Sequence, residues 1–142
     1  MADKLEVSIE IIAHATEDVE KILESFFNLL GIGAEEFSRQ NLTGHFDNPI
    51  TVLRANIKKK AAKSFVEKLV SSIPDRHFKE VIDGIENRLE DSILHLRFGK
   101  QDMIRGKMIP QEKDAIKLKI LIPAYNKKDV VKNYVTLFES VK

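Results

Sequence analysis

The chain has no cysteine and no tryptophan, and its 142 residues include only four prolines and six glycines. Without cysteine there is no disulfide framework and no thiolate metal site, which fits a reducing compartment. No stretch reaches the ~18 consecutive apolar residues that a membrane-spanning helix needs. The opening Met1-Ala2-Asp3-Lys4-Leu5 leads into an alternating pattern rather than the apolar segment of a signal peptide. No internal repeat, low-complexity tract or linker interrupts the chain. These absences leave a cytoplasmic protein of one domain, residues 1–142, with no membrane partner as the expectation.

What is present suits a globular fold, with 43% hydrophobic and 32% charged residues. The net charge of +1 conceals an uneven distribution. Through Ile57 the chain carries four basic against ten acidic side chains, and beyond it nineteen against twelve. Such polarity permits the basic face that a polyanion requires, unless the charges intermix on folding.

Leu5, Val7, Ile9 and Ile11 alternate with Glu6, Ser8 and Glu10, the period of a half-buried strand. Thr16 then suits an N-cap, with Glu17 and Asp18 in the first helical turn. Val19, Ile22, Leu23, Phe26, Phe27 and Leu30 form an apolar stripe, and Gly31 stands where a terminating glycine belongs. Strands are expected over 35–43 and 50–57 and a helix over 58–72. Pro74 stops that helix, and another runs from Asp75 to about Leu89. A fourth strand covers 93–98, and residues 99–106 form a loop or one helical turn. Residues 115–122 alternate as a strand that Pro123 ends, and a last helix runs from about Lys127 to Val141. Strands are numerous and connections short, so the fold class is α+β, a largely antiparallel sheet with helices packed on one face. The other face is left to a ligand or partner.

No residue set points to catalysis. His14, His45, His77 and His95 share no ligand spacing, and no metal or cofactor is implied. There is no nucleophile elbow, no phosphate-binding P-loop and no dinucleotide-type glycine series. Two basic clusters stand out: Arg54, Lys58, Lys59, Lys60 and Lys63, then Arg97, Lys100, Arg105 and Lys107, with Gln101 able to add a directional hydrogen bond. Cations at a helix N-terminus oppose the helix dipole, so Lys58, Lys59 and Lys60 are placed at a local cost that a bound phosphate would reverse. Phe46, Tyr125 and Phe37 are the aromatic rings free to stack on a base, few enough that any RNA contact is expected to be led by phosphate and shape.

Four segments in order resemble an archaeal family of small RNA-binding proteins of the predicted exosome-subunit type. They are His14-Ala15-Thr16-Glu17-Asp18; Gly44-His45-Phe46-Asp47-Asn48-Pro49-Ile50, similar to Gly-His-x-Gly-Asn-Pro-Ile; Leu96-Arg97-Phe98-Gly99-Lys100-Gln101, similar to Leu-Arg-x-Asp-Lys-Gln; and Gly106. Asp47 departs from a glycine, and Gly99 from an acid, which removes a possible partner for Lys100. The resemblance implies a fold similar to the ribosomal protein that binds 5S rRNA, RNA as the ligand and an RNA-processing complex as partner. Lys58, Lys59, Lys60, Arg97, Lys100, Arg105 and Lys107 would meet phosphates. His45, Asn48 and Gln101 would make directional bonds, and Gly44 and Pro49 would shape the loop. The alternatives are a protein-interaction or homodimerisation module, and an enzyme with a site at His14, His45 and nearby carboxylates.

Overall fold

Alternation along the first strand sets the architecture. In β1 (Glu6–His14), Val7, Ile9, Ile11 and Ala13 are buried, while Glu6, Ser8, Glu10 and Ile12 on the opposite face are only half covered. The structure, a computed structural model, describes residues 4–122 and 129–142. The expectations at Pro123, at the ring of Tyr125 and at a helix start near Lys127 lie outside the described residues, as does the side chain of His45.

The order is β1, α1 (Val19–Leu30), β2 (Ser38–Thr43), β3 (Pro49–Lys58), α2 (Lys59–Ser72), α3 (Asp75–Gly84), β4 (Leu89–Glu90), β5 (Ile93–Gly99), α4 (Lys100–Ile104), β6 (Ala115–Leu121) and α5 (Val130–Val141). The strands form one six-stranded antiparallel sheet in the order β2-β3-β1-β6-β5-β4. This is the α+β fold that the alternation implies. Leu53, Ala55 and Ile57 of β3 and Ile116, Leu118 and Ile120 of β6 share the face of Val7 and Ile9. They pack with Phe26 of α1, Phe65 of α2 and Phe138 of α5 in a single core. Burying aliphatic and aromatic side chains of this size contributes about 1.5–3 kcal/mol each.

Several boundaries differ from the sequence reading. Asp18, not Thr16, caps α1, accepting the Lys21 amide at 3.2 Å. Glu17 is thereby released from the helix for another use. Residues expected to begin the second strand form a short 3-10 turn, Ala34–Glu36, and Phe37 is buried edge-on against Phe26 at 5.4 Å, so its ring cannot stack on a ligand. The helix expected to reach Leu89 ends at Gly84, followed by a 3-10 turn (Ile85–Arg88) and the two-residue β4. A tight reversal with positive φ at Asp91 (52°) and Ser92 (69°) joins β4 to β5, the geometry of a two-residue hairpin.

Candidate nucleic-acid interface

Antiparallel register lays the side chains of the open face in rows across the strands. The middle row runs Arg97, Lys117, Glu10, Arg54 and Ser38. The next row holds His95, Lys119, Ser8 and Asn56, and the last holds Ile93, Leu121, Glu6 and Lys58. The middle row and its neighbour thus carry four permanent cations, Arg54, Arg97, Lys117 and Lys119, against the single carboxylate of Glu10. They line a concavity of about 750 Å³ together with Ser8, Asn56 and a second carboxylate, Glu36.

Glu10 sits between cations. Its Oε2 accepts from Arg54 Nε at 3.1 Å, and Lys117 Nζ stands 4.0 Å from its Oε1. Arg54 also donates to Gln40 Oε1 at 3.1 Å. Arg97 lies 4.0 Å from Glu112 Oε2. The hydrogen bond from Arg88 to Glu112, assisted by the charges of Arg88 and Arg97, holds that carboxyl below its ordinary range. Lys119 has no ion-pair partner among the described residues. Exposed pairs of this kind contribute about 0–1 kcal/mol, so an incoming phosphate competes with them readily.

In the other direction the face turns apolar. The β1–β6 pairing stops at Glu10 and Lys117, beyond which Gly99 pairs with Ala115 on one side and Ile12, Val52 and Gln40 form a row on the other, followed by His14, Ile50 and Leu42. At this end the first and third motifs meet through one side chain. Lys100 is 1% exposed, and its Nζ donates to the Ile12 carbonyl at 2.6 Å and to Glu17 Oε1 at 2.7 Å, with Asp114 Oδ1 at 2.9 Å. Gln101 Nε2 reaches the other Glu17 oxygen at 3.1 Å. Oxygen or nitrogen atoms of His14, Glu17 and Asp114 lie within 4.8 Å of one another, a spacing that a divalent ion can use. The ammonium of Lys100 already lies against both carboxylates and offsets one of their two negative charges, so the cluster is an ion-pair hub. It also supplies the acid partners that Gly99 does not.

The second motif forms the β2–β3 connection beside His14, which pairs in register with Ile50. The left-handed backbone here is carried by Phe46 (φ 59°, ψ 32°) and Asp47 (φ 62°). Gly44 serves a different need from the positive φ considered for it. Its amide donates to the Asn48 carbonyl at 2.6 Å, and a Cβ at Gly44 would meet that oxygen at 3.1 Å and Ile50 Cγ2 at 3.0 Å. Asn48 and Pro49 are exposed, and Phe46 is 84% exposed.

The two basic clusters share the middle row through Arg54 and Arg97 alone, and their other members lie apart. From Pro49 to Lys58 β3 spans roughly 30 Å, so Lys58, Lys59 and Lys60 sit at the opposite end of the sheet from Lys100. Lys58 pairs with Glu6 at 3.9 Å, and Lys59 opens α2 at φ 57°. Arg105 and Lys107 are exposed, but the Met108 amide donates to Ser72 at the end of α2, which sets them against the helical layer. Lys117 and Lys119, which join the two ends, escaped selection as site residues. Their signal was two lysines one residue apart on an alternating strand, which share a face.

A family model described as RNA binding matches residues 6–122. The chain is 31% identical to the RNA-binding protein PAB1135 of Pyrococcus abyssi, over 93% of this chain and 94% of that one. It is 29% identical to the uncharacterized protein MJ0213 of Methanocaldococcus jannaschii, over 91% of this chain and 93% of the relative. Among solved structures, Mth689, a DUF54 protein from Methanothermobacter thermautotrophicus, superposes with a TM-score of 0.78 at 30% identity, covering 96% of this chain and 99% of its own.

Proposed function

The chain belongs to this RNA-binding family, and from that premise we propose that it is a non-catalytic RNA-binding protein that takes its ligand on the open face of the sheet. The observation that carries the reading is the basic row of Arg97, Lys117 and Arg54 with Lys119 beside it, exposed on a face that no helix among the described residues covers. Phosphates lie over these four side chains. Lys58 extends the track at one end, with Lys59 and Lys60 beyond it, whereas Arg105 and Lys107, set against the helical layer, lie off it. His45, Asn48 and Gln101 supply directional bonds beside a loop shaped by Gly44 and Pro49. Lys100 acts by holding this end together, since its ammonium is buried.

A cytoplasmic accessory role in RNA processing or degradation, and kinship with the 5S rRNA-binding ribosomal fold, are the finer readings that the family resemblance suggests. Titration of labelled RNA at several salt concentrations tests the proposal. Affinity is expected to fall as salt rises, with a log–log slope of about −0.7 for each phosphate contact with a single strand, and no binding at low salt would remove the proposal.

One feature favours the homodimer as a second reading. β2 ends the sheet, and all six of its residues are exposed, leaving an edge able to pair with another copy. A monomeric mass in solution would dispose of it.

A further inference from the structure

Three large hydrophobic residues are exposed among those described, and two of them, Leu42 (40%) and Phe46 (84%), flank the same short loop. Phe46 is the more unusual. A bulky residue at φ 59° occupies a strained region and persists there where the surroundings impose it, a pattern frequent at ligand clamps. The tight approach of Gly44 to Asn48 and the second left-handed residue, Asp47, fix the loop that holds the ring out. Asn48 adds an exposed side-chain amide with no hydrogen-bond partner among the described residues. Behind the loop the open face continues as a short apolar lane of Leu42, Ile50 and Ile12 around the buried Val52, and two residues along β3 from Val52 stands Arg54 of the middle row.

An aromatic ring beside an amide, then an apolar lane, then a basic row is the order of groups that an unpaired nucleotide requires. The base needs a surface to stack on and a partner for its polar edge, and the phosphates that follow need positive charge. In a duplex the base faces are occupied by neighbouring bases, so this loop has nothing to offer it. Resting on the proposed sheet-face binding, we infer that the ligand is RNA with an unpaired segment, and that Phe46 stacks on one of its bases while Asn48 bonds the base edge. Recognition is thus not confined to phosphate and shape.

The chain contains no tryptophan, so Phe46→Trp installs a single indole at the proposed stack. A single-stranded 12-mer of mixed sequence should quench that indole, and the same strand annealed to its complement should not. Phe46→Ala should weaken single-strand binding roughly tenfold, the size of one lost stack, and leave duplex binding unchanged. An unquenched indole, a Phe46→Ala protein of undiminished single-strand affinity, or equal losses on both forms of RNA would each overturn the inference. Lys117→Glu with Lys119→Glu keeps the two proposals apart. Loss of RNA binding in that variant beside an indifferent Phe46 would leave the sheet face standing and remove the stack. Failure of the unmodified protein to bind either RNA would remove both.

Discussion

An ammonium buried away from water costs several kcal/mol unless carboxylates and acceptors meet it, and Lys100 is met by Glu17, Asp114 and the Ile12 carbonyl. Lys100→Met would leave Glu17, whose side chain is only 16% exposed, without its counter-ion. Asp114 is 42% exposed and recovers water, so the loss is expected at the lower end for a broken buried pair, about 3 kcal/mol. Urea unfolding checks this, and an unchanged midpoint would show the hub to be dispensable. Asp47→Gly should move the opposite way, neutral or stabilising by up to about 0.5 kcal/mol, because φ 62° strains a side-chain-bearing residue and suits glycine. The same unfolding experiment reads it. Asp47 was legible because the tolerance of a turn position is local. Lys100 was not: it sits among other cations in sequence, and its Glu17 partner lies 83 residues away, so the residue read as a phosphate contact is a tether.

Periodicity displayed the long elements and missed their ends. The stripe from Ile22 to Leu30 and the terminating Gly31 at φ 78° are both where the sequence places them. Thr16 and Asp18 are both competent caps, however, and the choice fell to Asp18 because Glu17 is drawn to Lys100 and the His14 amide. Helix α5 makes a similar point. Tyr134 was readable as part of an apolar face, whereas its hydroxyl partners were not. The hydroxyl accepts from the Ile122 amide at 3.2 Å and can donate to Ile120 O at 2.6 Å or Ser92 O at 2.8 Å, which ties the helix to β6 and to the β4–β5 turn. Tyr134→Phe leaves these groups unpaired and should cost about 1–3 kcal/mol. Burial pushes the Tyr134 phenol above its ordinary 10.0. Its contribution is therefore complete below pH 10 and declines as pH rises through the folded value, since the unfolded chain ionises first. Stability measured between neutral pH and pH 11 should fall more steeply for the unmodified protein than for Tyr134→Phe, and parallel curves would contradict the assignment.

Across the molecule, the sequence disclosed an α+β fold with one face uncovered and an excess of basic residues in its later part. It did not disclose which cations share that face. The clusters it singled out, near Lys58 and near Lys100, lie at opposite ends of the sheet. The row between them is assembled from Arg54, Lys117 and Arg97, separated in sequence and joined only by strand order. The alternation that makes β6 a strand also aims Lys117 and Lys119 outward, so the charge of the face follows from the same pattern that builds the core. The most direct test of RNA binding on this face is the salt dependence of affinity for single-stranded RNA, compared between the unmodified protein and Lys117→Glu with Lys119→Glu. Both lysines are exposed, so the fold should be retained, as circular dichroism can verify. The account predicts more than a tenfold loss of affinity at low salt and a log–log slope shallower by about 1.4, the share of two lost phosphate contacts. A folded variant with unchanged affinity and unchanged slope would contradict it.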